Sequence, residues 1–164
     1  GTTVAWPAVS GELSFSGNPA MVQGLTATPG SIAYIGISVE QTALQAGLGE
    51  AALQNKSGKY VKPDATTVLA AVAAGAKSIP ANLAASLIYE PGAQSYPIVN
   101  YEYLIIQSRQ TDANKALAIR TFLTWAISPT GGATEANLGS VDFQALPEAV
   151  LPAVDKAINK IQAG

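Results

Sequence analysis

The feature that most constrains this chain is a change of apolar period along its length. In "SYPIVNYEYLIIQ" (Ser95 to Gln107) an X-Pro step at Tyr96-Pro97 favours an extended entry. The aromatic and β-branched run Tyr101 to Gln107 then reads as a strand. A few residues later the period lengthens. Ile119, Phe122, Leu123 and Ala126 recur at i, i+3, i+4 and i+7, behind Asp112 as a helix cap and ahead of a stop at Ser128-Pro129. Strand-like and helix-like segments alternate elsewhere too, so the chain is expected to be α/β with a mainly parallel or mixed sheet.

The other segments follow the same logic. "TTVAWPAV" (Thr2 to Val9) is a short β-prone run bent at Pro7, and Ser10 to Gly17 is loop. Asn18 as N-cap with Pro19 behind it predicts a short helix to Gln23, closed by Gly24. "SIAYIGISV" (Ser31 to Val39) reads as a buried strand, and "VEQTALQAGL" as a short helix stopped near Gly47. Ser57-Gly58 between two β-capable arms predicts a hairpin over Ala52 to Val61. Asp64 after Pro63 starts a helix with Val68, Leu69 and Val72 on one face, ending at Gly75. Leu146-Pro147 opens a last helix in which Val150, Leu151, Val154, Ala157, Ile158 and Ile161 repeat, with a kink or a tight first turn at Pro152.

Several function classes are excluded by what is missing. The chain has no Cys and no His among its 164 residues, which removes Cys nucleophiles, His bases, disulfides and ordinary zinc sites. Neither a metal nor a cofactor is expected. Only 12% of residues are charged and the net charge is −2, with Lys and Arg scattered singly, so no basic patch exists for nucleic acid. At 48% hydrophobic the chain can still build a core. No apolar run is long enough to span a bilayer, and no signal peptide is recognised. The opening "GTTVAWP" reads like the middle of a longer protein.

Each chemically suggestive group has a plainer reading. Glu90 with Glu102, or Asp142 with Glu148, could form an acid–base pair, but Glu148 suits the first turn of a helix, where negative charge is favoured. Ser57 and Lys59 could be a nucleophile and its base, yet both fit a hairpin turn. "PTGGATEANLG" (Pro129 to Gly139) is Gly-rich but lacks the lysine and the strand-to-helix setting of a phosphate loop. Tyr34, Tyr96, Tyr101, Tyr103, Phe122 and Trp125 could stack on a sugar; core or interlobe packing accounts for most of them. "FSGNPAMVQG" (Phe15 to Gly24) has the form of an anion site, because the free N–H groups of a helix start lie behind a Ser/Gly loop. Ordinary capping is the alternative.

Four stretches of the chain together resemble one family. "GNPAMVQGLTATPGSIAYIGISV" is similar to a Gly-Asn helix start followed by Pro-Gly and a strand. "YPIVNYEYLIIQ" is similar to a Trp/Tyr-Pro-Ile crossover and long strand. "ALAIRTFLTWAIS" and "VDFQALPEAVLPAV" resemble a Phe-x-x-Trp-Ala helix and a Leu-Pro helix near the C-terminus. The family is that of the periplasmic or lipoprotein phosphate-binding proteins of the high-affinity phosphate ABC transporter (PstS-type). The resemblance runs in order over nearly the whole chain.

It implies part of a two-lobe type II periplasmic-binding-protein fold with hinge strands, and a receptor rather than an enzyme. Residues 1–94 would be the later part of lobe two and 95–164 the C-terminal part of lobe one, with the hinge at Tyr96 to Asn100. The implied partners are inorganic phosphate, bound through the full-length protein, and an ABC permease. A lipid anchor outside this chain would be the only tie to a membrane, on the extracytoplasmic side. The family's phosphate contacts come from early helix starts, an Asp, an Arg and a Ser-Gly-Thr/Asp motif. This chain has no Arg in its first half and no such motif, so no direct phosphate ligand is carried over. Ser16, Gly17 and Asn18 remain as residues that at most support the cleft or the hinge. The alternative is a same-fold binding protein or surface antigen with another anionic or small-molecule ligand.

Overall fold

A computed structural model describes Pro7 and residues 9–164, so most of the Thr2 to Val9 reading lies outside the described residues. The chain divides into two compact units, Gly1–Glu50 and Ala51–Gly164, each described by itself.

In the first unit, α1 (Asn18–Ala27) runs four residues beyond the expected end at Gln23. Gly24 lies inside the helix and does not cap it. Its missing side chain has a packing reason: a Cβ there would collide with the Phe15 ring. A second helix, α2 (Glu40–Gln45), ends as expected. Gly47, at φ 80, lets the chain reverse while its own N–H and that of Leu48 close on the carbonyls of Leu44 and Ala43 at 2.9 and 3.1 Å.

The second unit opens with a hairpin, β1 (Leu53–Gln54) antiparallel to β2 (Tyr60–Val61), with Gly58 at φ 76 in the turn. The turn is organised by Asn55, which is almost fully buried. Helix α3 (Ala65–Gly75) begins with the Asp64 side chain accepting from the Thr67 N–H at 2.8 Å, while the Thr67 hydroxyl accepts from the Asp64 N–H at 3.0 Å. Two donors with no partner in the helix are thereby satisfied. Ala71 and Val72 of α3 meet Leu87 and Val99 in a core flanked by Val68, Tyr96 and Tyr101. Leu69, expected on this face, is 41% exposed. Gly75 is required here because a Cβ would strike Leu87.

Strand β3 (Arg109–Gln110) lies parallel to β4 (Gln162–Ala163), with Arg109 opposite Gln162. Asp112 caps α4 (Ala113–Ile127) by accepting from the Lys115 N–H at 2.8 Å. The short α5 (Glu135–Leu138) follows, and α6 (Leu151–Ile158) begins just before Pro152. The proline therefore falls in the first turn, where its missing N–H removes no helical bond. Val150, Ile158 and Ile161 are buried, and the Arg120 guanidinium on α4 donates to the Ile161 carbonyl at 2.6 Å.

The two strongest strand expectations fail. Ser31 to Val39 forms no strand among the described residues. It ends in a single 3-10 turn, Ile37–Val39, and leaves Ile32 88% exposed. Tyr101 to Gln107 has no ladder partner either, and pairing starts only at Arg109. Residue type favours a strand, but only a neighbouring strand can satisfy its backbone groups. The aromatic expectation is met in part, since Tyr96 and Tyr101 flank the α3 core. Tyr34, Tyr103, Phe122 and Trp125 are 74, 44, 55 and 52% exposed and belong to no core here, and Phe122 leaves the α4 face predicted for it. Packing on either side of Tyr96 is not separate, since Val99 and Tyr101 join Leu87 and α3.

Candidate functional site

The helix start at Ser16, Gly17 and Asn18 is the one place where the sequence suggested an anion. Gly17, not Asn18, is the N-cap, at φ 81 and ψ 165, a conformation open essentially to glycine. Its carbonyl accepts from the Met21 N–H at 3.1 Å. Asn18 is the first helical residue, and its side chain does not cap. The Asn18 Oδ1 instead accepts from the Gly36 N–H at 3.2 Å, fixing the helix start against the segment before the 3-10 turn. A Cβ on Gly36 would lie 2.7 Å from the Asn18 Nδ2, so a side chain there would push the Asn18 amide aside.

As an anion site this helix start is thin. Pro19 lacks an N–H, so the first turn presents only the amides of Asn18 and Ala20. Ser16 and Gly17 are exposed. Residues 1–50 contain Glu12, Glu40 and Glu50 and no Lys or Arg, so no cation of this unit balances a bound charge. The geometry suits a support that holds a helix to a neighbouring segment.

The remaining candidates resolve into structural roles. The Ser57 and Lys59 amides both donate to the Asn55 Oδ1 at 3.0 Å, which places the pair in the hairpin turn. Gly131 and Gly132 belong to the loop that closes α4. The Gly132 N–H donates to the Trp125 carbonyl at 2.8 Å, and a Cβ at either glycine would meet the last turn of the helix. Glu148 lies in the turn before α6, not in its first turn as expected, because the helix begins three residues later. Asp142 adopts the left-handed conformation, φ 55, behind a 3-10 turn. Among the described residues, no three acidic side chains gather to hold a metal ion, and no helix is long and apolar enough to cross a membrane.

Sequence reasoning missed the buried polar groups. Asn55 donates to the carbonyls of Gly92 and Ala93 at 3.2 and 3.0 Å besides accepting its two turn amides. Ser95 donates to the Pro91 carbonyl at 2.8 Å. The Tyr101 hydroxyl is buried without a partner, and burial, then Tyr103 and Glu90, push its pKa up. Nothing in the local sequence marks Asn55 as buried, because the Gly92 and Ala93 carbonyls it meets lie 37 and 38 residues away.

Residues 2–130 match the family model described as a PBP superfamily domain. The chain belongs to the PBP superfamily. The α/β class follows, and the helices and short strand pairs described above are pieces of that fold. Within this superfamily the chain is 34% identical to the phosphate-binding protein PstS of Methanocaldococcus jannaschii over 99% of its own length and 43% of the relative's. It is 29% identical to the PstS of Pasteurella multocida, over 99% of this chain and 42% of that protein. The PstS of Xylella fastidiosa strain 9a5c is 27% identical over 84% and 35%. This PBP-superfamily chain therefore spans less than half the length of the curated relatives it matches.

Proposed function

We propose that this chain is the C-terminal part of a solute-binding receptor that captures inorganic phosphate and delivers it to an ABC-type importer. The observation that carries the reading is the match of 99% of the chain to two proteins named as phosphate-binding, at 34 and 29% identity. The role is binding and delivery rather than catalysis. The working place is extracytoplasmic, with a permease as partner and a lipid anchor outside these residues as any tie to the membrane. In this reading the chain contributes to both lobes of the receptor. Ser16, Gly17 and Asn18 brace the cleft or hinge without touching phosphate.

The physical support is the count of donors. A dehydrated phosphate needs many fixed donors, because an unpaired buried charge costs several kcal/mol. Two amides at the start of α1, worth about 1 kcal/mol each, imply affinity no better than roughly millimolar. Calorimetric titration with phosphate, and with sulfate as control, tests this. The 164-residue chain should bind more weakly than about 1 mM, and the natural polypeptide that carries it should bind phosphate in the micromolar range or tighter. A natural polypeptide that ignores phosphate refutes the receptor reading. Micromolar, phosphate-selective binding by the 164 residues alone relocates the site to Ser16, Gly17 and Asn18.

A further inference from the structure

We propose that the groove at the C-terminal end of α4 binds a sugar acid, with the sugar ring against the Trp125 indole and the carboxylate on Arg120. The inference is independent of the phosphate reading. It starts from an aromatic ring that the second unit leaves outside its core: Trp125 is 52% exposed. The ring is held in place. Phe122 lies 6.0 Å away at an interplanar angle of 33°. The loop after α4 closes on the same residue, and the Ser128 and Gly132 N–H groups donate to the Trp125 carbonyl at 3.1 and 2.8 Å. A Cβ at Gly131 would lie 2.8 Å from the indole Cδ1, so glycine lets the loop pass this close. A fixed aromatic face offers a large contact area and loses little entropy when a ligand stacks on it.

Beside the indole, Arg120, Thr121, Thr124, Ser128, Thr130 and Asn159 line a groove of about 500 Å³, a volume in the range of small-molecule sites. Hydroxyls and carboxamides both donate and accept, which matches the hydroxyls of a sugar. The Ser128 and Thr130 hydroxyls lie 3.1 Å apart and bond each other. Those of Thr121 and Thr124, and the Asn159 carboxamide, have no protein partner among the described residues.

Arg120 selects the charge of the ligand. Its Nη1 donates to the Ile161 carbonyl at 2.6 Å, which fixes the guanidinium. Among the described residues its Nε and Nη2 have no acceptor, and no carboxylate pairs with it. That edge is a fork of two parallel donors, the geometry that holds a carboxylate by two charge-assisted bonds. An indole face, a set of hydroxyls and an open guanidinium edge within one groove fit a hydroxylated ring that carries one carboxylate.

The test titrates the natural polypeptide with D-glucuronate, and with glucose as the neutral control, by calorimetry. Glucuronate should saturate in the millimolar range or tighter. Glucose should bind at least about 10-fold more weakly, because it lacks the charged partner. Arg120→Lys keeps the charge without the fork and should weaken glucuronate at least about 5-fold. Arg120 also holds the Ile161 carbonyl, so a second variant is needed that disturbs no such contact. Thr124→Val, at an exposed position, should keep the parent's melting temperature and weaken glucuronate about 3-fold. No saturation by about 50 mM, glucose bound as tightly as glucuronate, or unchanged affinity in either variant overturns the proposal. So does displacement of glucuronate by saturating phosphate, which would place the sugar acid in the phosphate site.

Discussion

Asn55 offers the sharpest test of how the second unit is held together. Its side chain is 1% exposed and uses every hydrogen-bonding group it has. It accepts from Ser57 and Lys59 within the hairpin turn, and donates across 37 and 38 residues of sequence to Gly92 and Ala93. Asn55→Ala removes four bonds and leaves four backbone groups to find water. At a net 0.5–1.5 kcal/mol per bond, and with the loops free to rehydrate in part, the loss should be about 2–4 kcal/mol. With a urea slope of about 2 kcal/mol per molar, the unfolding midpoint should fall by about 1–2 M. Asn55→Asp refines the argument. The new carboxylate keeps the two accepted bonds and turns an oxygen toward the Gly92 and Ala93 carbonyls. Burial and those carbonyls raise the pKa of the introduced carboxyl in the folded state. Its penalty is therefore small below the ordinary carboxylate range and grows as the pH rises through and above it. Urea midpoints of both variants at pH 4 and pH 7 decide the matter. An Asn55→Ala midpoint within about 0.2 M of the parent's, well under the expected shift, or an Asn55→Asp penalty that ignores pH, would refute the reasoning.

Three further outcomes are expected. Ile158→Asp places a charge at a position 6% exposed beside buried Ile161, and should cost about 3 kcal/mol or more; an unchanged melting temperature would mean α6 is not docked. Tyr101→Phe removes a buried hydroxyl that has no partner, so stability at pH 7 should stay level or rise by up to about 1 kcal/mol. The parent, whose Tyr101 pKa is raised above 10.0 by burial and then by Tyr103 and Glu90, should lose stability as pH climbs past that value, a loss the variant lacks; identical alkaline profiles would contradict this. Asp64→Ala should cost about 1 kcal/mol through the lost cap at α3, and Asp64→Asn much less, both read from thermal unfolding; equal effects from the two would show that the cap is idle.

The sequence by itself determined the features whose physics is local. Asp64 and Asp112 cap their helices, Gly47 stops α2, Gly58 turns the hairpin and Pro152 sits in a first turn. Each depends on a side chain reaching a backbone group a few residues away, or on one residue's permitted φ, and a linear pattern records such things. The family was legible as a resemblance, since motifs at Gly17 to Val39, Tyr96 to Gln107, Ala116 to Ser128 and Val141 to Val154 run in order over nearly the whole chain. Tertiary structure decided everything that needs a distant partner. Asn18 caps nothing because Gly36 claims its oxygen, and Gly24 stays inside α1 because Phe15 lies against it. Asn55 is central because Gly92 and Ala93 arrive beside it. The runs at Ser31 and Tyr101 have strand-forming residues but no ladder among the described residues. A strand, unlike a helix, cannot satisfy its own backbone, so its existence is settled by whatever chain lies alongside it.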